Sequence, residues 1–451
     1  MKKLMIAAVS SGSGKTTITL GLMKLLQNRG YRVQPYKVGP DYVDTEYHTR
    51  ITGNPSRNLD MFLVQDNARM KTLFEKEAGN ADICVIEGVM GLFDGLGVDK
   101  DFCSSAGIAK QLDCSVLLVV NGQSASTSVA AVVKGFVDFD PKLNICGVII
   151  NKVASDTHYQ LIKKAVELYT DVPVFGYLKR EKGVELPSRQ LGLVPDREIN
   201  DVTEKIQQVA ESLEATFELD QLLERLPNEK IRYTPPYYPQ FPKIKVAYAL
   251  DEAFHFYYQD NLDLLRTHGV ELLTFSPMKD DHLPEADLYY FGGGYPEEFA
   301  LELSTNQSMR SNIKKKHEQS AFILAECGGL MYLGTAFNKD EKNYPMVGIF
   351  EGVSQMTSGL QKFGYCYGDL NQETLLGEKG TTVVGHEFHH SIFQSNEPTV
   401  LEMRKERDGE VVKRWTGGYQ KKNTFGSYLH LHFYQSEDFL QNLLEKVRNS
   451  R

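Results

Sequence analysis

Apolar and polar positions along this chain fall into two long α/β series separated by a proline-rich stretch. The run Leu4-Met5-Ile6-Ala7-Ala8-Val9 is short, unbroken and ends in a glycine loop, which predicts a buried first strand. Ile18, Leu22, Leu25 and Leu26 then recur at helical spacing, and Gly30 supplies a stop. Further apolar runs near residues 33–38, 83–86, 115–120 and 147–150 predict at least five β units with helices between them. Five prolines follow between residues 227 and 243 (Pro227, Pro235, Pro236, Pro239 and Pro242), dense enough to mark an extended boundary. A second α/β pattern begins beyond it, with strands expected at 244–250, 271–275, 287–291 and 321–325. The alternating stretch 426–433 reads as a late strand with His430 and His432 on one face. The expected domains are therefore residues 1–226, a linker over 227–243, and residues 244–451.

Composition narrows the class. At 451 residues the chain is too long for one core, and 41% apolar with 24% charged residues is a soluble globular balance. A net charge of −9 argues against a general nucleic-acid binder, which needs a basic face, but leaves room for a local phosphate site. No stretch approaches a membrane span, and the apolar run after Met1-Lys2-Lys3 is too short for a signal peptide. The six cysteines are scattered without a C-x-x-C pair, which predicts reduced thiols in a cytoplasm rather than disulfides or a zinc site.

The first glycine loop, Val9-Ser10-Ser11-Gly12-Ser13-Gly14-Lys15-Thr16-Thr17, fits a phosphate-binding loop except that Val9 stands for the first glycine. Small residues let backbone N–H groups wrap a phosphate, Lys15 neutralises it, and the Thr16 hydroxyl suits Mg²⁺. ATP contacts are expected from Gly12, Ser13, Gly14, Lys15, Thr16 and Thr17. The second strand leads into Gly39-Pro40-Asp41-Tyr42-Val43-Asp44, where ligands of open α/β sheets bind. These two carboxylates are either ligand groups or a solvated turn. Glu87 ends an apolar strand where a P-loop fold places its second Mg²⁺ anchor, and Asp94 is a further carboxylate nearby. Asn151 closes a later strand and reads either as a purine contact or as a polar cap. Arg189, in the loop 186–193, is a candidate for an anionic group.

In the second half, the 321–325 strand runs straight into Glu326-Cys327-Gly328-Gly329, the pattern of a strained turn that holds up a nucleophile. Alone, Cys327 could equally be a buried thiol. Gly292-Gly293-Gly294 follow another strand and can offer N–H groups to an oxyanion, with Gly292 and Gly293 the candidates. His430 is the best-placed base, giving a Cys-His dyad.

These blocks, in this order, resemble the cobyrinic acid a,c-diamide synthase family. The residues that carry the resemblance are Lys37-Val38-Gly39-Pro40-Asp41-Tyr42, Val85 through Gly95, Asp251-Glu252-Ala253-Phe254, Gly292 through Glu297, Glu326-Cys327-Gly328-Gly329, Gly385-His386-Glu387-Phe388-His389 and Tyr428-Leu429-His430. The resemblance implies a P-loop-like, dethiobiotin-synthetase-like α/β domain followed by a class I glutamine amidotransferase domain. It implies that Cys327, with His430 as acid/base, releases ammonia from L-glutamine. ATP would phosphorylate the a and c carboxylates of cobyrinate, and ammonia would displace the phosphate. Thr16, Asp41 and Glu87 would hold Mg²⁺, and Asp41, Tyr42, Val43, Asp44, Asp94 and Arg189 would meet the corrinoid. The resemblance leaves a homodimer open and implies no nucleic-acid or membrane partner.

Three departures stand out. Thr45 replaces the family's usual Pro, Pro187-Ser188-Arg189-Gln190 replaces Pro-Glu-Arg-His, and His432 stands where many class I amidotransferases carry the third, acidic residue. Two rivals follow. A similar enzyme amidates nickel sirohydrochlorin with the same ATP and glutamine motifs. A partitioning P-loop ATPase would need an early loop lysine where this chain has Ser10, and has no use for an amidase domain.

Overall fold

The structure, a computed structural model, describes residues 1–180 and 202–450. The chain forms two compact units, Met1–Met61 with Asp66–Pro235, and Phe62–Gln65 with Pro236–Arg451.

The first unit is built on seven strands: β1 (Lys2–Ala8), β2 (Val33–Val38), β3 (Arg57–Leu59), β4 (Ile83–Glu87), β5 (Ser115–Asn121), β6 (Ile145–Val153) and β7 (Val174–Lys179). They order as β3-β2-β4-β1-β5-β6-β7, and every pair is parallel. Strands buried on both faces read as continuous apolar runs, and β1, β4 and β5 do so in this unit. Helix α1 (Lys15–Asn28) packs Ile18, Leu22, Leu25 and Leu26 into the core with Leu4, Ile6 and Val85. Strands β2, β3 and β4 lie on one side of β1 and β5, β6 and β7 on the other, so the order switches sides at β1. The loops after β1, β2 and β4 therefore gather at one crevice.

The second unit has a six-stranded sheet containing β8 (Lys245–Ala249), β9 (Glu271–Phe275), β10 (Leu288–Phe291) and β11 (Phe322–Glu326). The strand Thr424–Ser427 lies parallel to β11, and Tyr419–Lys421 closes the edge antiparallel to it. Sheets of four and five strands complete the unit. The late strand expected over residues 426–433 is not one strand. Thr424–Ser427 ends beside β11, the Leu429 N–H turns back to the Ser427 hydroxyl (3.2 Å), and only His430–Leu431 resumes, paired with Gly385–His386 in a different sheet. His432 has left the strand and caps a 3₁₀ turn at Phe433–Gln435. Among the described residues, no helix is long and apolar enough to cross a membrane.

Candidate functional site

In the first unit the loop after β1 turns on Gly12 (φ 77°) and Gly14 (φ 90°), conformations that L side chains avoid. Gly14 caps α1, so the free N–H groups of the helix start face the loop and favour a phosphate. The loop is braced from β6. The Asn151 amide donates to the Ser13 carbonyl (2.9 Å) and its oxygen accepts the Lys152 N–H (2.8 Å), while Lys152 Nζ reaches the Gly12 carbonyl (3.0 Å). A Cβ on Gly14 would stand 1.9 Å from Asn151 Nδ2. Asn151 thus holds the loop's shape, and a single amide hydrogen is left for a base.

Behind the loop lies a buried charge cluster. Thr16 Oγ1 donates to Glu87 Oε1 (2.7 Å), and Lys37 Nζ bonds both Glu87 Oε1 (3.0 Å) and Asp44 Oδ2 (2.6 Å). The second Glu87 oxygen meets His48 Nε2 at 2.8 Å, and His48 Nδ1 lies 3.2 Å from Ser56 Oγ. Burial alone would raise the Glu87 carboxyl, but Lys37 and then His48 outweigh it and hold Glu87 well below the usual range. Burial, then Asp41, pushes Asp44 up to about 7. Burial would lower Lys37, yet Asp44, Glu87 and Asp41 raise it instead. Lys15 is lowered by burial and by Lys37, and its Nζ approaches the Met90 carbonyl (3.4 Å) in the loop after β4.

The remaining expected residues divide. Asp41 Oδ1 accepts the Asp44 N–H (2.8 Å) at the start of α2 (Val43–Thr52), which leaves its other oxygen for the cluster. Thr17 sits half-buried on the first turn of α1. Tyr42 is buried, and Val43, half-buried, packs one side against the apolar core. Asp94 is exposed and accepts the Gly91 N–H (2.9 Å), closing its own turn. Arg189 lies outside the described residues. Sequence reasoning assigned no role to Lys37 or His48. A lysine inside the otherwise buried β2 was the signal for the first, and the second had none.

In the second unit Cys327 stands at the turn between β11 and the helix Gly328–Leu333 with φ 46° and ψ −102°. A non-glycine residue held there stores roughly 1–3 kcal/mol of strain. The turn is pinned by Cys327 N–H to the Ser427 carbonyl (2.7 Å) and by Gly329 N–H to the Gly292 carbonyl (3.1 Å). A Cβ on Gly329 would come 2.4 Å from the Phe291 carbonyl, so the small residue is required. Three residues beyond Ser427, the chain delivers His430 to the same spot, where its Cε1 lies 2.5 Å from any Cβ added to Gly293.

The site is dry. Burial, and after it Glu297, raises the Cys327 thiol far above its ordinary value, while the Gly328 N–H, donated toward the sulfur, acts the other way. Burial, then His386 and His389, holds His430 well below its usual range. Both shifts favour the neutral forms of the sulfur and the imidazole.

The oxyanion donors need revision. Gly292 donates its N–H to the Tyr257 hydroxyl (2.9 Å), so it is not available to an oxyanion. Gly293 lies against His430, and the Gly328 N–H points toward the Cys327 sulfur. His432 does not pair with His430: its Nδ1 accepts the Tyr434 N–H (3.3 Å), and burial lowers it to about 3. Among the described residues, no cluster of three or more His, Cys, Asp or Glu side chains is arranged to hold a metal.

Two family descriptions match the chain. Residues 4–194 match the CobQ/CobB/MinD/ParA nucleotide binding domain, and residues 245–438 the CobB/CobQ-like glutamine amidotransferase domain. The chain is similar end to end to cobyrinate a,c-diamide synthase of Streptococcus sanguinis, with 54% identity over 451 residues and 100% of both chains covered. The enzyme of the same name from Listeria monocytogenes serotype 4b is 55% identical, covering 97% of each chain. That of Salmonella typhimurium is 47% identical, covering 98% of this chain and 97% of its own.

Proposed function

The chain belongs to the cobyrinate a,c-diamide synthase family, and from that premise we propose that it amidates the a and c carboxylates of cobyrinate with ATP and glutamine through two chemically separate sites. One observation carries the reading. A chain matched end to end by named synthases holds a strained cysteine turn with His430 beside it in one unit, and a loop-and-carboxylate phosphate site in the other.

In the second unit His430 takes the Cys327 proton as the sulfur attacks the glutamine amide carbon. The tetrahedral oxygen is met by the N–H groups of Gly328 and Gly293. The C–N bond then breaks, His430 returns the proton to the departing ammonia, and water hydrolyses the thioester to glutamate. Carboxylates are poor electrophiles, so the first unit supplies a leaving group. A substrate carboxylate oxygen attacks the γ-phosphorus of ATP, ADP departs, and ammonia displaces phosphate from the acyl carbon. Lys15 and the loop N–H groups neutralise the phosphates, and positioning carries most of such a transfer. Thr16 Oγ1 and Glu87 Oε1, 2.7 Å apart, are hard oxygen donors of the type Mg²⁺ takes, although Lys37 shares the same Glu87 oxygen. Thr16, Glu87 and Asp41 would hold the ion, which when bound adds positive charge at the phosphate oxygens. The buried Lys37 ammonium spends its three N–H donors on Asp44 (2.6 Å), Glu87 (3.0 Å) and the Gly88 carbonyl (3.4 Å), and so fixes the two carboxylates in place. Six cysteines buried as thiols suit a reducing cytoplasm.

The test is Cys327→Ala assayed with each nitrogen donor. Glutamine-driven amidation is lost and ammonia-driven amidation persists. Loss of both in a folded protein would remove the division of labour.

A further inference from the structure

A base that charges during turnover needs a group to orient it and to stabilise the charge. Glu326, the last residue of β11, stands beside His430 with Oε2 3.8 Å from Nδ1. Both side chains are buried, at 1% and 2% exposure. The carboxylate is itself tethered, since Oε1 faces the Leu431 N–H (3.4 Å) and the Tyr290 hydroxyl donates to the group. On its other face the His430 ring stacks on His386 at 4.8 Å and 19°, and the Tyr258 hydroxyl holds His386 Nδ1 at 3.1 Å. Backbone topology fixes this arrangement. Glu326 is the register partner of Ser427, which the chain leaves to reach His430, while Gly385–His386 pairs with His430–Leu431 from the opposite side.

We propose that Glu326 is the acidic positioning residue of the glutamine-hydrolysing site, acting on His430 from the position before the nucleophile rather than from a position after the histidine. The inference rests on the Cys327–His430 reading given above. The His432 site, two residues past His430, offers no acid and is turned to the Tyr434 N–H. When His430 Nε2 accepts the proton of Cys327, the imidazolium forms between the stacked His386 ring and the Glu326 carboxylate. The positive charge is balanced by Glu326, and the same proton leaves on ammonia, so Glu326 gains and loses none over the cycle. The titratable groups facing the pair are Tyr290 on β10, Tyr257 in the segment after β8, His386 and His389 on the neighbouring strand, and Cys327 itself. Burial pushes the Glu326 carboxyl up to about 8, so its charged form grows in as the pH rises from 6 to 9 and dominates only in the upper part of that range.

The experiment compares wild type, Glu326→Gln, Glu326→Asp and Tyr290→Phe. Glutamine-driven and ammonia-driven amidation are measured on the same preparations from pH 6 to 9. Glu326→Gln lowers the glutamine kcat by about 10²-fold or more with little change in the glutamine KM, and removes one ionisation from the pH profile. Glu326→Asp, charged but shorter, falls between wild type and Gln. Tyr290→Phe deletes a bond that favours the charged carboxylate, and moves the ascending limb of the glutamine profile to higher pH. A Gln variant with wild-type kcat and profile overturns the proposal, as does an unmoved profile in Tyr290→Phe should Glu326→Gln fail to fold. If Cys327→Ala retains glutamine-driven synthesis, the cysteine reading itself fails, an outcome distinct from either of these.

Discussion

Gly293→Ala is a one-methyl perturbation aimed at the histidine alone. Gly293 does not occupy the positive-φ region, so alanine fits the backbone without conformational strain. The added Cβ would lie 2.5 Å from His430 Cε1, against about 3.4 Å for an ordinary contact, and 3.4 Å from each ring nitrogen. The ring must therefore retreat by roughly 0.9 Å, and a misplacement of about 1 Å in a catalytic group costs on the order of 10²-fold in rate. Retreat is resisted on one side by His386, stacked at 4.8 Å, so part of the strain appears as about 1–3 kcal/mol of overpacking. The assay is glutamine hydrolysis at saturating glutamine, with ammonia-driven amidation on the same sample as the control for folding and for the first unit. The expected result is a 10²-fold loss in the first and little change in the second. Undiminished glutamine hydrolysis would refute the placement of His430 against the Gly293 backbone as the working base geometry.

Three further outcomes follow from other residues. Glu87→Gln removes the charge shared by Thr16, Lys37 and His48, and amidation should fall about 10²-fold or more with either nitrogen donor; a variant active with ammonia would exclude Glu87 from the phosphate site. Gly14→Ala combines φ 90° with a 1.9 Å clash on Asn151, so ATP affinity measured by calorimetry should drop at least about 10-fold, from strain of roughly 1–2 kcal/mol before the clash is counted; unchanged affinity would contradict the loop geometry. Glu326 also links stability to pH. Its carboxyl is raised from 4.5 to about 8, so the folded protein keeps a proton that the unfolded chain releases. The stability this contributes is full below pH 4.5 and is lost towards pH 8, at up to about 1.4 kcal/mol per pH unit. Wild type should lose thermal stability across that window relative to Glu326→Gln, and parallel melting curves would count against the buried carboxyl.

The parts of the fold legible in the sequence were those written as local pattern. The glycine loop before α1, the acid ending β4 and the cysteine after β11 each follow an apolar strand with small residues, and such strand ends in a parallel sheet gather at one edge. What the sequence could not show was which polar atoms were already engaged. Gly292 reads as an oxyanion donor until the Tyr257 hydroxyl is seen on its N–H. Asn151 reads as a purine contact until its amide is found bracing Ser13. Glu326 carried the same signal as Glu87, an acid closing an apolar parallel strand. It went unread because the neighbouring cysteine accounted for the turn, and its partner lies more than a hundred residues away.

Most directly, the central claim is tested by mass spectrometry of the products formed from cobyrinate and from nickel sirohydrochlorin, side by side, with ATP, Mg²⁺ and glutamine labelled with ¹⁵N at the amide. The account predicts two labelled amides on cobyrinate, with ADP formed in step. Label on the nickel macrocycle alone, or cobyrinate returned unamidated while ATP is consumed, would contradict it.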